Sequence, residues 1–117
     1  MNKNANYLIA SEYDEQCRVI DYCDIMKIPV FAIPNGGSRH LLEAVKLKRS
    51  GVRAGVPDLC IPLVRKGYNG LYIEMKRKGG KLRIEQKDWL ELLNNNGYLA
   101  KACWGFDEAK ELIEKYI

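Results

Sequence analysis

Three polar residues stand where the surrounding pattern is apolar. Asp58 follows Pro57 in "GVPDLC", and sixteen positions later Glu74 and Lys76 sit two apart in "LYIEMK". An acid inside a strand is costly to bury unless it is paired or ligates something. Between the two segments lies "RKGYNG", a turn-type connection, so they read as antiparallel neighbours. Alternation then sends Tyr72, Glu74 and Lys76 to one face, and Leu71, Ile73 and Met75 to the other. Asp58 shares a face with Cys60, opposite Leu59, Ile61 and Leu63, and can reach the side that carries Glu74 and Lys76.

A third acid comes from the first helix. From Ser11 to about Lys27, Ser11 can cap, Asp14 stands at the third helical position, and Val19, Ile20, Cys23 and Met26 form an apolar stripe. Glu12 and Gln16 continue that stripe towards the N-terminus, so Glu12 is expected to point inward. Three carboxylates converging on a point invite a hard divalent cation, which takes a few carboxylates, waters and a substrate phosphate oxygen. Lys76 has a use beside them, since an ammonium can position an attacking water or stabilise charge on a phosphate. Plainer arrangements explain the same residues. Asp58 can begin a turn, Glu74 with Lys76 can form an ion pair on a solvent face, and Gln86 can be a hydrogen-bonding boundary residue. Generic chemistry stops at a carboxylate metal site in a basic protein.

The elements that would hold these residues follow from local signals. "IPVFAIP" reads as a short strand between prolines and "NGGSRH" as a loop. Leu41 to Ser50 reads as a helix with Gly51 as its stop. "PDLCIPLV" and "LYIEMK" are strands, and Ile84 to Asn95 is a helix with Gln86, Trp89, Leu90 and Leu93 on one side and Gly97 to end it. "YLAKACW" gives a further strand and "DEAKELIEKYI" a final amphipathic helix. The order is a mixed α/β sheet flanked by helices, in one domain spanning residues 1–117.

The bulk composition narrows the function classes. With 47% apolar and 29% charged residues, the chain is neither disordered nor a membrane protein by composition. It has no apolar run of spanning length and no secretory layout at its start, so a cytoplasmic location is expected. Cys17, Cys23, Cys60 and Cys103 are scattered and there is a single histidine, which argues against a zinc knuckle and for buried, reduced thiols. The net charge of +4 is modest but unevenly placed. Arg39, Lys46, Lys48, Arg49 and Arg53 face one acid, Glu43, and a second cluster that includes Lys78 and Lys81 follows Lys76 directly. Two basic patches around candidate acids are the footprint of a phosphate-backbone partner.

On these residues the chain resembles a known family. "GVPDLC" followed by "LYIEMK" matches the P-D…(D/E)-x-K signature of the PD-(D/E)XK nucleases. The chain as a whole resembles the VRR-NUC family, in the small stand-alone form typical of bacteriophages and prophages. The likeness runs in order from about Ser11 to Ile117: "EYDEQ", "AIPNGG", "GVRAGVPDL", "IEMKRKGGKLRIEQKDWLELL" and "GFDEAKELIEKYI" each match a family motif. A lone P-D…E-x-K occurs by chance, whereas this many ordered motifs is a specific signal. The resemblance implies a restriction-endonuclease-like core and a Mg²⁺- or Mn²⁺-dependent DNA endonuclease. By the same resemblance Asp58, Glu74 and the backbone carbonyl of Met75 hold the metal, and Lys76 orients or activates the attacking water. Glu12 completes the acidic shell, with Glu15 as its competitor, and Gln86 steadies the site or contacts its water. The stand-alone type further implies a homodimer acting on branched DNA, with four-way (Holliday) junctions first. Flaps, or a catalytically silent DNA-binding module, are the alternatives.

Overall fold

A computed structural model describes residues 10–34 and 40–117. Helix α1 (Glu12–Ile25) starts where Ser11 accepts a hydrogen bond from the Asp14 N–H through its side chain, as the capping pattern predicts. Strand β1 (Phe31–Ala32) and helix α2 (Leu41–Arg49) follow. Next come strands β2 (Leu59–Ile61) and β3 (Leu71–Lys76), helix α3 (Ile84–Asn95), strand β4 (Leu99–Trp104) and helix α4 (Phe106–Tyr116). The element order is the one that the sequence patterns predict.

The strands form one sheet in the order β1-β2-β3-β4. β1 pairs antiparallel with β2, and β2 antiparallel with β3, in a register that sets Leu59 opposite Ile73 and Cys60 opposite Tyr72. The turn between β2 and β3 has positive φ at Lys66 and Gly67, the conformation that suits the right-handed twist of a tight hairpin. β2 ends at Ile61 because Pro62 has no N–H to give the ladder, so it is shorter than "PDLCIPLV" suggests. β4 runs parallel to β3, with α3 as the crossover, and pairs Glu74 with Ala102 and Lys76 with Trp104.

Alternation along β3 separates two layers. Leu71, Ile73 and Met75 join Leu59 and Ile61 in a buried cluster with Val19 and Cys23 of α1 and Ala109, Ile113 and Tyr116 of α4. α3 packs on the other face, where Glu74 and Lys76 point. Cys23, Cys60 and Cys103 are buried free thiols, and Cys17 is half-buried; burial pushes the Cys23 thiol to about 11 and that of Cys103 to about 12. Met26 departs from the expected stripe. It is the C-cap of α1 and 55% exposed, because the helix has ended and Lys27 turns the chain with a positive φ. No described helix is long and apolar enough to cross a membrane.

Candidate active site

Asp58 immediately precedes β2, just beyond the last β2–β3 pair, Leu59 with Ile73. There the ladder stops, and the side chain of Asp58 takes over: its Oδ2 accepts the Met75 N–H at 2.7 Å. This short, charge-assisted bond fixes the carboxylate to the backbone of β3. Met75 thus enters the site through its main chain, while its side chain is wholly buried in the opposite layer.

Glu74 is only 2% exposed and Lys76 only 5%, so the pair is not the solvent-face ion pair that their spacing alone allows. Glu74 Oε2 accepts from Gln86 Nε2 at 3.1 Å. Gln86 is 3% exposed, and its own carbonyl oxygen is held at 2.8 Å by the Arg83 N–H at the start of α3. The N-terminus of α3 is therefore wired to Glu74 through one glutamine. Gly55 lets that helix approach the Pro57–Asp58 turn: its φ is +89°, and a Cβ there would lie 2.7 Å from the backbone of Glu85.

Burial and mutual repulsion decide the charge of this cluster. Glu74 is pushed up to about 8, first by burial and then by the Asp58 charge, with Lys76 pulling the other way. Asp58 is also raised by burial, but the Met75 N–H opposes that rise. Both acids are thus held above the ordinary carboxylate range and titrate as a linked pair.

Glu12 and Glu15, one helical turn apart, have separated roles. Glu12 is half-buried, and its charge raises both Asp58 and Glu74. Glu15 is occupied elsewhere: its Oε1 accepts the Phe106 N–H at 3.0 Å and meets Arg18 Nη1 at 3.4 Å. It caps α4. Among the described residues no group of three acids, histidines or cysteines is already arranged to hold a metal, and Glu12 acts on the Asp58–Glu74 pair through its charge. Three like charges brought together would repel without a cation between them.

The donor set nevertheless fits a hard divalent ion. Glu74 Oε1 is buried and receives no hydrogen bond from a donor group among the described residues, so that Glu74 and Asp58 can be bonded to each other only through a proton that they share. Protonation or a cation are the two ways to satisfy such an oxygen. Carboxylate and main-chain oxygens suit Mg²⁺ or Mn²⁺, and Mg²⁺ commonly uses only one or two carboxylates with waters and a phosphate.

The basic residues lie on two segments that adjoin this cluster in the sequence. Lys78 and Lys81 are exposed on the loop that leaves β3 directly after Lys76. Lys46, Lys48 and Arg49 are exposed on α2, and exposed Arg53 donates to the Lys48 carbonyl at 3.1 Å, closing the α2 C-terminus near the chain that leads to Asp58. Arg39 and the Asn35–Gly37 part of the loop motif lie outside the described residues. Sequence reasoning missed Trp104, whose indole N–H reaches the Gly80 carbonyl at 2.7 Å. A tryptophan at the end of a predicted strand gave no sign of that partner.

With the geometry in place, comparison with known proteins is informative. A family model described as the VRR-NUC domain matches residues 6–107. A solved structure named "VRR_NUC domain protein" is 32% identical, covers 92% of this chain and 88% of its own, and superposes with a TM-score of 0.81. No curated protein matches the chain.

Proposed function

Because the chain belongs to the VRR-NUC family, a nuclease-type DNA-processing domain with a restriction-endonuclease-like fold, we propose that it is a Mg²⁺- or Mn²⁺-dependent endonuclease of branched DNA. Four-way junctions are its first substrate, cut by a homodimer in the cytoplasm of the cell that makes it. The observation that carries this reading is the buried pair Asp58–Glu74 beside Lys76, with Glu74 Oε1 receiving no hydrogen bond from a donor group among the described residues. A binding module has no need of such costly burial.

Asp58 and Glu74 would hold the ion, with the Met75 carbonyl beside them and Glu12 closing in from α1. When bound, the ion would supply Lewis-acid stabilisation of the charge that builds on the scissile phosphate. Gln86 holds one oxygen of Glu74, leaving the other for ligation. Lys76 offsets the acids' charge and would orient the attacking water and stabilise the pentacovalent phosphate. In-line attack would break the P–O3′ bond, leaving a 3′-hydroxyl and a 5′-phosphate. Lys78, Lys81 and the cations of α2 would grip the flanking backbone.

Support for self-association comes from α2, which buries none of its residues and exposes Leu41, Leu42 and Val45. Paired sites suit the two-fold symmetry of a four-way junction.

The test is a cleavage panel on four-way junction, flap, splayed and linear duplex DNA, with and without Mg²⁺ or Mn²⁺. Symmetric paired nicks on the junction are expected, and solution mass should show a dimer. Asp58→Asn or Lys76→Ala should lower single-turnover cleavage by at least about a hundredfold while the folded protein still binds junction DNA. Wild-type cleavage by either variant would overturn the assignment.

A further inference from the structure

Trp104 is the last residue of β4 and the register partner of Lys76, so it stands beside the buried lysine at the same end of the sheet. The Gly105 N–H donates to the Lys76 carbonyl at 3.0 Å, tying the two strand ends together. The polar handle of the indole is already used: Nε1 donates to Gly80, on the loop that carries Lys78 and Lys81. Its backbone N–H donates to Glu108 Oε1 at 2.9 Å. Yet the residue stays 37% exposed. A ring with its N–H satisfied, in a residue that stays partly exposed, presents rigid apolar surface to water.

That plane borders a cleft of about 380 Å³, shared with Lys78, Arg18 and Phe106. Arg18 already covers the Phe106 ring at 4.4 Å. Of the acids that line the cleft, Glu15 and Glu108 accept the N–H groups of Phe106 and Trp104 and keep their charge, so with Asp107 they make the α4 side acidic, and phosphates would lie towards the loop that carries Lys78. Lys78 and Lys81 are exposed on the loop that Trp104 anchors. The combination is aromatic surface with Lys78 on the same cleft and Lys81 on the adjoining loop, next to the site where the backbone would be cut.

We propose that Trp104 is a stacking platform for one nucleobase of the DNA substrate whose face is exposed at a branch point or in a single-stranded arm, with Lys78 and Lys81 holding the phosphates on either side of it. This deepens the nuclease reading and rests on it. Bases inside a duplex are stacked on both sides and have no free face, whereas a base at a branch point or in a single-stranded arm has one. The platform would therefore let a 117-residue chain distinguish branched from fully paired DNA without reading sequence.

The experiment measures binding to a splayed duplex with single-stranded arms and to a fully paired duplex of equal length, without divalent metal so that no cleavage intervenes. Trp104→Ala should weaken binding to the splayed DNA roughly ten- to a hundredfold and to the duplex less than about threefold. Trp104→Phe, which keeps a ring but loses the bond to Gly80, should retain most of the preference. Equal loss in both variants would show that Trp104 is a loop anchor only, and equal loss on both DNAs, or none, would also overturn the proposal. Should Trp104→Ala fail to fold, Trp89→Phe leaves Trp104 as the lone emitter; its fluorescence should be quenched by the splayed DNA and not by the duplex, and no quenching refutes stacking. Failure of the wild type to cut any DNA with metal would sink the nuclease reading separately, since these binding measurements need no catalysis.

Discussion

At the scale of single residues, the site is defined by which carboxylate is already engaged. Glu15 caps α4 through Phe106, whereas Glu12 acts on Asp58 and Glu74 only through its charge. Glu15→Ala should therefore cost about 1–3 kcal/mol of stability in a denaturant titration. Glu12→Gln should leave the melting temperature unchanged or slightly raised, and weaken Mg²⁺-supported cleavage. Glu74 supplies a dependence on pH. Its folded value of about 8 lies above the ordinary 4.5, so the metal-free folded chain binds more protons than the unfolded one between those values. The contribution to stability is thus complete below about pH 4.5 and is lost as pH rises through about 8. Thermal melts in chelator should show metal-free stability falling over that window, and Glu74→Gln should flatten the fall. Added Mg²⁺ or Mn²⁺, which binds the ionised form, should stabilise more at pH 8 than at pH 5.

At the scale of elements, strand β3 is served by two neighbours: β2 brings Asp58 to it, and α3 brings Gln86. Their approach depends on Gly55. A methyl group there would both strain a φ of +89° and strike the Glu85 backbone, so Gly55→Ala should cost about 2 kcal/mol or more and slow cleavage by displacing Gln86. Circular dichroism melts with single-turnover rates would check both effects. Much of this level was legible in the sequence, because its signals are local. Ser11, Gly51 and Gly97 marked helix ends, and a period of two placed Glu74 with Lys76. What escaped depends on contacts distant in the chain. The Glu15–Phe106 bond spans 91 residues and the Trp104–Gly80 bond 24, and no periodicity encodes either. For Glu12, periodicity gives the side chain's direction and not its reach, so its distance from the other acids was not legible in the sequence.

At the scale of the whole molecule, the cations of α2 lie outside the packed layers. Lys46, Lys48 and Arg49 sit on a helix that buries nothing, so replacing all three by alanine should preserve the fold. If each meets a phosphate, the slope of log affinity against log salt should fall by roughly 2–3. Binding titrations at several salt concentrations would measure it, and an unchanged slope would place the DNA elsewhere. The sheet order has a further consequence. β3 has a strand on each side and a helix layer on each face, so its amides should exchange with deuterium only when the entire fold opens. In the monomer α2 should exchange by local fraying, which self-association through its apolar face would slow. On heating, the chain would loosen its hold on DNA first while the acid pair stays assembled, and the carboxylates would part only at the global melt. An exchange map in which Met75 is among the last amides to label, and Leu42 to Arg49 among the first, is the pattern this layout demands.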